Sequence, residues 1–397
     1  MNIKSPSYIL KRCLIPVIIM IIFAAIVVAL NNTTKVQIVS REGQTFEKGI
    51  VTEIIQDNLQ PDGTRAGQQL VVVHMTSGAF EGEDIAMTSN SGYLFGAPCT
   101  VGMKVVVMQS VAGDTQISSV YSQDREWAVY IFAALYLLAL CLIGGWQGVK
   151  GALGLIFTFG CIIFVYLPLV YRGWSPFWTA VIICAITAVV SLYLIGGPTR
   201  KTLISTIGTV AGVVIAGSAA SIFSYATGVT GWNVSDIESL ITLWNINGIQ
   251  VGGLLFSGLL ISALGAAMDV AISITSSISE LYFQQPDISR GELFKSGMRI
   301  GRDMMGTNAN TLILAFAGGS VSMLVMDYAY DLPWLQIINS NNICIAIMQG
   351  LSGSFGIVLS VPVTVALAVF MYTNHKNAAQ TAESIPAEES PSIGQDA

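Results

Sequence analysis

The feature that most constrains this chain is a series of eight apolar runs, at 14–30, 127–143, 153–170, 177–195, 203–223, 249–273, 307–326 and 343–372. A helix rising about 1.5 Å per residue needs about 20 mostly apolar residues to cross a hydrocarbon core about 30 Å thick. Backbone N–H and C=O groups cannot stay unpaired in lipid, and these runs lack the alternation of barrel strands, so helices are the spanning form. Composition agrees: 53% of residues are hydrophobic and only 11% charged, far from the ~25% charged of a soluble domain. The expected fold class is an all-α polytopic membrane protein of about eight transmembrane helices. A small β-barrel-like domain is inserted after the first of them.

Lysine and arginine beside the runs set the orientation. With the N-terminus inside, Lys4, Lys11, Arg12, Lys150, Arg200, Lys201, Arg290, Lys295, Arg299, Arg302 and Lys376 all fall on the cytoplasmic side. Only Arg172 is left in a short outside connection. The expected domains are an N-terminal anchor helix at 1–30, an extracytoplasmic β domain at 31–126, a seven-helix transmembrane domain at 127–372 and a disordered cytoplasmic tail at 373–397. The tail is rich in Ala, Ser, Glu and Pro and holds too little apolar surface to fold. The first run is longer than a signal-peptide core and precedes no A-x-A site, so it reads as a retained anchor.

Between 31 and 126 the texture changes. KVQIVS, GIVTEII, QLVVVHM, DIAMTS, TVGMKVVVMQS and QISSVYS are short β-branched runs separated by Gly, Asp, Asn and Pro, the pattern of five or six strands closing a compact barrel. His74 sits there without a second His or a carboxylate at ligand spacing, so no metal site and no cofactor are expected. Cys99 is the one cysteine of this segment and has no disulfide partner in it. In the connection 225–247, Asp236 and Glu238 open a short helical pattern carrying Leu240, Ile241, Leu243 and Trp244, which suits an interfacial helix.

Chemistry concentrates in the second half. At 100° per residue, Gly258, Ser262, Gly265, Asp269, Ser273 and Ser276 fall within roughly 80° of one another, because their spacing runs 4, 3, 4, 4, 3. This small and polar stripe suits close helix contact and polar pairing inside a bundle. The next helix carries Asp303, Thr307, Asn310 and Thr311 on adjoining turns, running on toward Gly318, and Asp303 is expected at a depth similar to Asp269. Gly208 and Gly212, Gly306, and Gly350 and Gly353 permit close backbone approach, while Pro362 is expected to kink the last helix. An aspartate at mid-helix costs ~2.5–3.5 kcal/mol on insertion scales, so a buried one implies a partner, a water path or a bound cation.

Three strings, ISALGAAMDVAISITSSISEL, SGMRIGRDMMGTNANTLILAFAGGS and GSFGIVLSVPVT, resemble those of the YibE/F family of bacterial membrane proteins. The resemblance extends from the anchor through the β domain to the last span. It implies a bacterial, Gram-positive cytoplasmic membrane and singles out Gly265, Asp269, Ser273, Gly301, Arg302, Asp303, Gly306, Thr307, Asn310, Thr311, Gly318 and Gly319. It supplies no mechanism. Family members often carry charges just before the Gly-Ser pair of the last span, whereas Asn342, Ala346 and Gln349 are uncharged here.

Three function classes follow, the third an intramembrane enzyme. One is a transporter or channel for a small solute or ion, with Asp269, Asp303, Thr307, Asn310, Thr311, Ser262 and Ser273 as its polar path. The second is a scaffold whose extracytoplasmic domain binds a protein partner while the helices pack and oligomerise. An enzyme is not expected: there is no HExxH, both histidines lie outside the apolar runs and Ser352 has no base to activate it, while the lack of a P-loop argues against an ATP-driven pump. Nor is nucleic acid, since the net charge is −6.

Overall fold

The computed structural model describes residues 21, 23–32, 43–90, 96–112, 115–234 and 237–383. Residues 1–20 of the expected anchor, the KVQIVS run, Asp236 and tail residues 384–397 lie outside the described residues. The chain divides into one unit at 35–143 and another at 1–34 with 144–397.

The first unit holds a closed five-stranded barrel: β1 (Gln44–Gln56), β2 (Gln68–Met75), β3 (Asp84–Asn90), β4 (Lys104–Ala112) and β5 (Thr115–Gln123), in the order β1-β2-β3-β5-β4. All neighbours are antiparallel except β3 with β5. Closure depends on β1, whose first half pairs with β4 and whose second half pairs with β2. Register shifts at Val51/Glu53 and Ile54/Gln56 mark irregularities in that strand, and such bulges increase local twist and bend. Alternation then fills the interior with Val71, Val73 and Met75 from β2, Val105 and Val107 from β4, and Val51, Met87 and Val120.

Gln69, Ser89 and Gln109 are polar inward positions, and Gln69 is fully satisfied. Gln69 donates from Nε2 to Asp57 Oδ1 at 2.8 Å and accepts at Oε1 from the backbone N–H of Cys99 at 2.7 Å. The hydrogen bond from Gln69, reinforced by Arg65, holds the Asp57 carboxyl below its ordinary range. Burial pushes the Cys99 thiol up. His74 is not alone on its strand: β2–β3 register sets it opposite Asp84, and Nδ1 lies 2.8 Å from Asp84 Oδ1. Sequence spacing missed this pair because the two residues meet only across the hairpin.

α2 (Glu126–Cys161) leaves this unit and is interrupted inside by Gly145, at φ 52° and ψ −134°, a backbone state that disfavours any side chain. The helix resumes at once, where a connection around Lys150 is expected from sequence. It continues through a π-turn at Ile162–Tyr166 and α3 (Leu167–Tyr171). The π-turn has a local cause. Pro168 has no N–H to give the carbonyl of Phe164, and that carbonyl accepts instead from Asn31 Nδ2 at 2.9 Å. Asn31 ends α1, the helix over 23–31. The carbonyls of Ala29 and Leu30 in turn accept from Arg172 at 3.1 and 2.8 Å, so a side chain caps the carbonyl end of α1.

The second unit continues with α4 (Pro176–Gly196), α5 (Arg200–Thr227), the short α6 (Ile237–Asn247), α7 (Leu254–Gln284), α8 (Arg290–Gly319), α9 (Val321–Ala329), α10 (Trp334–Ile338) and α11 (Asn341–Glu383). α11 packs along α5, α8 and α7. Its helix is continuous through Pro362 and runs past the expected end at Tyr372 to Glu383.

Five helical segments are long and apolar enough to cross a membrane among the described residues, six if α8 and α9 form one bent span. The expected eight is not reached. Glu126–Tyr171 counts as one segment of 46 residues, although at about 1.5 Å per residue it is more than twice the core thickness. α1 is described only from residue 21 onward. The span expected at 307–326 falls across α8 and α9, which bend by 56° where Ser320 interrupts the helix.

Candidate functional site

Two helix faces carry the residues singled out from sequence, and they differ in what they touch. The α5–α11 seam is closed. A Cβ added to Gly208 would lie 2.3 Å from Thr364 Oγ1, one on Gly356 2.6 Å from the Gly212 carbonyl oxygen, and one on Gly212 3.1 Å from Ser360. The α8 contacts are as tight: Gly301 against Val361, Gly297 against Ile278 and Val365, and Gly353 of α11 against Leu312. Gly350 faces Ile313 with ordinary spacing. These glycines let helix axes approach closely, and dispersion across the seam replaces a hydrophobic force that lipid does not supply.

The stripe on α7 behaves in the opposite way. Its buried face is Leu259, Leu260, Ala263, Ala267, Val270 and Ile274, which leaves Gly258, Ser262, Gly265 and Asp269 on the outer surface. Nothing lies within 4 Å of a Cβ at Gly258 or Gly265. The expectation that this stripe packs inside the bundle is therefore corrected. The apolar residues opposite it have taken the interior, and among the described residues no neighbour helix fits against Gly258 or Gly265. Ser273 is half-buried at the edge.

α8 has the same polarity. A capping box starts it, with the Ser289 hydroxyl accepting from the Glu292 N–H and the Glu292 side chain accepting from Ser289. Its inward residues are Leu293, Gly297, Gly301 and Leu312. Asp303, Gly306, Thr307, Asn310, Thr311 and Gly318 are exposed, and Gly306 and Gly318 also pack against nothing. The Gly297–Ile278 and Gly301–Ile274 contacts fix the register of the antiparallel pair. Asp303 is thus level with Ile272, about 5 Å along the axes from Asp269, which bears on the expected similarity of depth.

Electrostatically this face is open. Among the described residues, no hydrogen bond or ion pair reaches Asp269, Asp303 or Asn310. Ser262 and Thr311 spend their hydroxyl protons on the carbonyls of Leu259 and Thr307, each at 2.9 Å. Their lone pairs then remain free to accept. Two carboxylates, an amide oxygen and hydroxyl lone pairs form a set of acceptors suited to a proton or a small cation. Beyond it α8 ends at Gly319 and α9 starts at Val321, bent by 56° across Ser320. No three His, Cys, Asp or Glu side chains converge as metal ligands among the described residues.

A separate concave feature was not anticipated as a site. At the Arg200 end of α5 a cavity of about 890 Å³ opens between α4, α5, α7 and α11. In the sequence its basic pair had served only to set orientation.

No curated protein and no solved structure matches this chain. The YibE/F-like protein family matches residues 132–374. That span takes in the closed seam, the outer face of α7 and α8 and the cavity, and it leaves out the barrel, so the likeness is narrower than the anchor-to-last-span extent expected. With well over half of its residues matched, the chain belongs to the YibE/F-like family of membrane proteins.

Proposed function

We propose that this membrane protein moves a small cation or proton across the bilayer along the outer face of α7 and α8. One observation carries the reading: Asp269 and Asp303 stand unpaired and exposed on neighbouring helices of an apolar bundle. Each carboxylate costs ~2.5–3.5 kcal/mol at the centre of a lipid-facing helix, so a face holding both is used against water, a cation or protein rather than against acyl chains. The break between α8 and α9 supports the same reading, since interrupted helices supply backbone groups to substrates in many transporters. A second copy of the chain supplies the missing wall of the path, and both termini lie on the cytoplasmic side of a bacterial cell membrane. No bond-breaking chemistry is involved.

The test is flux in proteoliposomes, read with a pH-sensitive dye under a proton gradient and with a sodium dye under a sodium gradient. Wild-type protein is expected to dissipate one of the gradients. Asp269→Asn and Asp303→Asn are expected to lose at least about tenfold of that rate while inserting normally. Equal flux through both variants would remove the assignment.

A second reading, a scaffold acting through the barrel, is favoured by the exposed edge-to-face pair Phe46 and Tyr121, with ring centres 5.1 Å apart. It predicts that Phe46→Ala abolishes capture of a protein partner and that Asp269→Asn is silent.

A further inference from the structure

The cavity at the Arg200 end of α5 has a lining of distinct chemistry. Among the described residues, Arg200 and Lys201 are its charged residues and no carboxylate lines it. Neither cation takes part in a hydrogen bond or ion pair among the described residues. Thr202, in the first turn of α5, spends its hydroxyl proton on the Gly197 carbonyl at 2.7 Å and lies 3.0 Å from the Thr199 hydroxyl, so it is not among the free donors. Ser279 and the hydroxyls of Tyr282 and Tyr372 add uncommitted polar groups from α7 and α11. Tyr282 and Tyr372 stack at 5.6 Å, with Phe283 at 6.3 and 6.5 Å from them. Leu192, Ile195 and Ile272 make the remaining wall apolar.

Cations without counter-ions, hydroxyl donors and an apolar and aromatic wall together describe a host for an anion that carries hydrophobic substance. The volume lies within the range of about 300–1,000 Å³ typical of small-molecule sites. Basic pockets between membrane helices hold phosphate headgroups in this way. From these features we infer that the cavity binds a phosphate-bearing anion, with Arg200 and Lys201 holding the phosphate and the aromatic cluster lying against its apolar part. The inference goes beyond transport along α7 and α8: it concerns other residues and is read by binding, so either can fail alone.

The test uses the full chain, purified in detergent, titrated separately with phosphatidylglycerol, phosphatidylcholine and inorganic phosphate and followed by native mass spectrometry and thermal unfolding. At about fivefold per cation, the Arg200→Gln/Lys201→Gln variant is expected to weaken phosphatidylglycerol binding about twentyfold. Lys295→Gln/Arg299→Gln, which removes cations from α8, is expected to change it less than about twofold. Ser279→Leu keeps both cations but fills the cavity, and is expected to weaken binding as well, so the inference stays testable if the double variant fails to fold. Binding of phosphatidylglycerol without inorganic phosphate identifies an amphiphile, and binding of both identifies the phosphate itself. No selective binding over phosphatidylcholine together with no phosphate binding, equal losses in the two double variants, or full binding by Ser279→Leu would each overturn it.

Discussion

The α5–α11 seam and the outer face of α7 and α8 are built from the same small residues and put them to opposite ends. In the seam, Gly208 and Gly356 lie against a neighbouring side chain and backbone with no room for a methyl group, and Gly212 is tight against Ser360 at 3.1 Å. On the outer face, Gly258, Gly265, Gly306 and Gly318 have open space beyond them among the described residues, and Asp269, Asp303 and Asn310 on the same face have no partner there. A small-residue spacing states only that a helix can be approached closely. What approaches it is decided by the hydrophobic residues on the other faces of that helix. On α7 those are Leu259, Leu260, Ala263, Ala267, Val270 and Ile274, which claim the interior and turn Asp269 out.

The comparison breaks most sharply through substitution of a glycine. Gly356→Ala places a methyl group on the Gly212 carbonyl and Ala216, and overpacking of this kind costs about 1–3 kcal/mol. A lowered melting temperature in detergent is the expected readout. Gly265→Ala meets nothing among the described residues, so the same change should leave stability equal or raise it by up to about 1 kcal/mol, read as an unchanged or higher melting temperature. Loss of stability at Gly265 in the isolated chain would mean that the outer face is already covered.

Asn31→Ala gives a smaller effect of about 1 kcal/mol, the usual worth of a side chain satisfying an orphan carbonyl. It removes the donor that Pro168 denies to Phe164, and hydrogen exchange at the π-turn should rise around Phe164. Unchanged exchange there would show that the π-turn satisfies itself.

The barrel gives the smallest effect and the one that depends on pH. Asp57 has a carboxyl held below its ordinary range by Gln69 and Arg65. Its contribution is complete above the unfolded-state carboxylate pKa and is lost as pH falls through the lowered folded-state value. Acid titration of barrel unfolding should therefore be shallower in Asp57→Asn than in wild type. Cys99, buried with its thiol pushed up, should resist alkylation at neutral pH in both until the barrel opens.

Much of this architecture was legible in the chain. Long apolar runs announced the helices, and β-branched runs between turn residues announced the five described strands, because local pattern and final environment agree there. The α7 and α8 stripes were legible as stripes, since spacing fixes which residues share a face. Their direction was not, because that depends on which of several apolar faces wins the interior. The same limit hid the His74–Asp84 pair, made by strand register. It also hid the pairing of Asn31 with the carbonyl freed by Pro168, which requires two helices to meet. In the sequence Arg200 and Lys201 mark topology, and only the convergence of α4, α5, α7 and α11 places them in a cavity.

The contrast between the two faces is tested most directly by water access. With the native cysteines replaced by serine, single cysteines at Ser262, Asn310, Ser360 and Thr364 can be exposed in membranes to a charged, membrane-impermeant thiol reagent. A polar path along α7 and α8 predicts labelling at 262 and 310 and none at 360 and 364. Absence of labelling at both 262 and 310, or equal labelling of the seam, would contradict it.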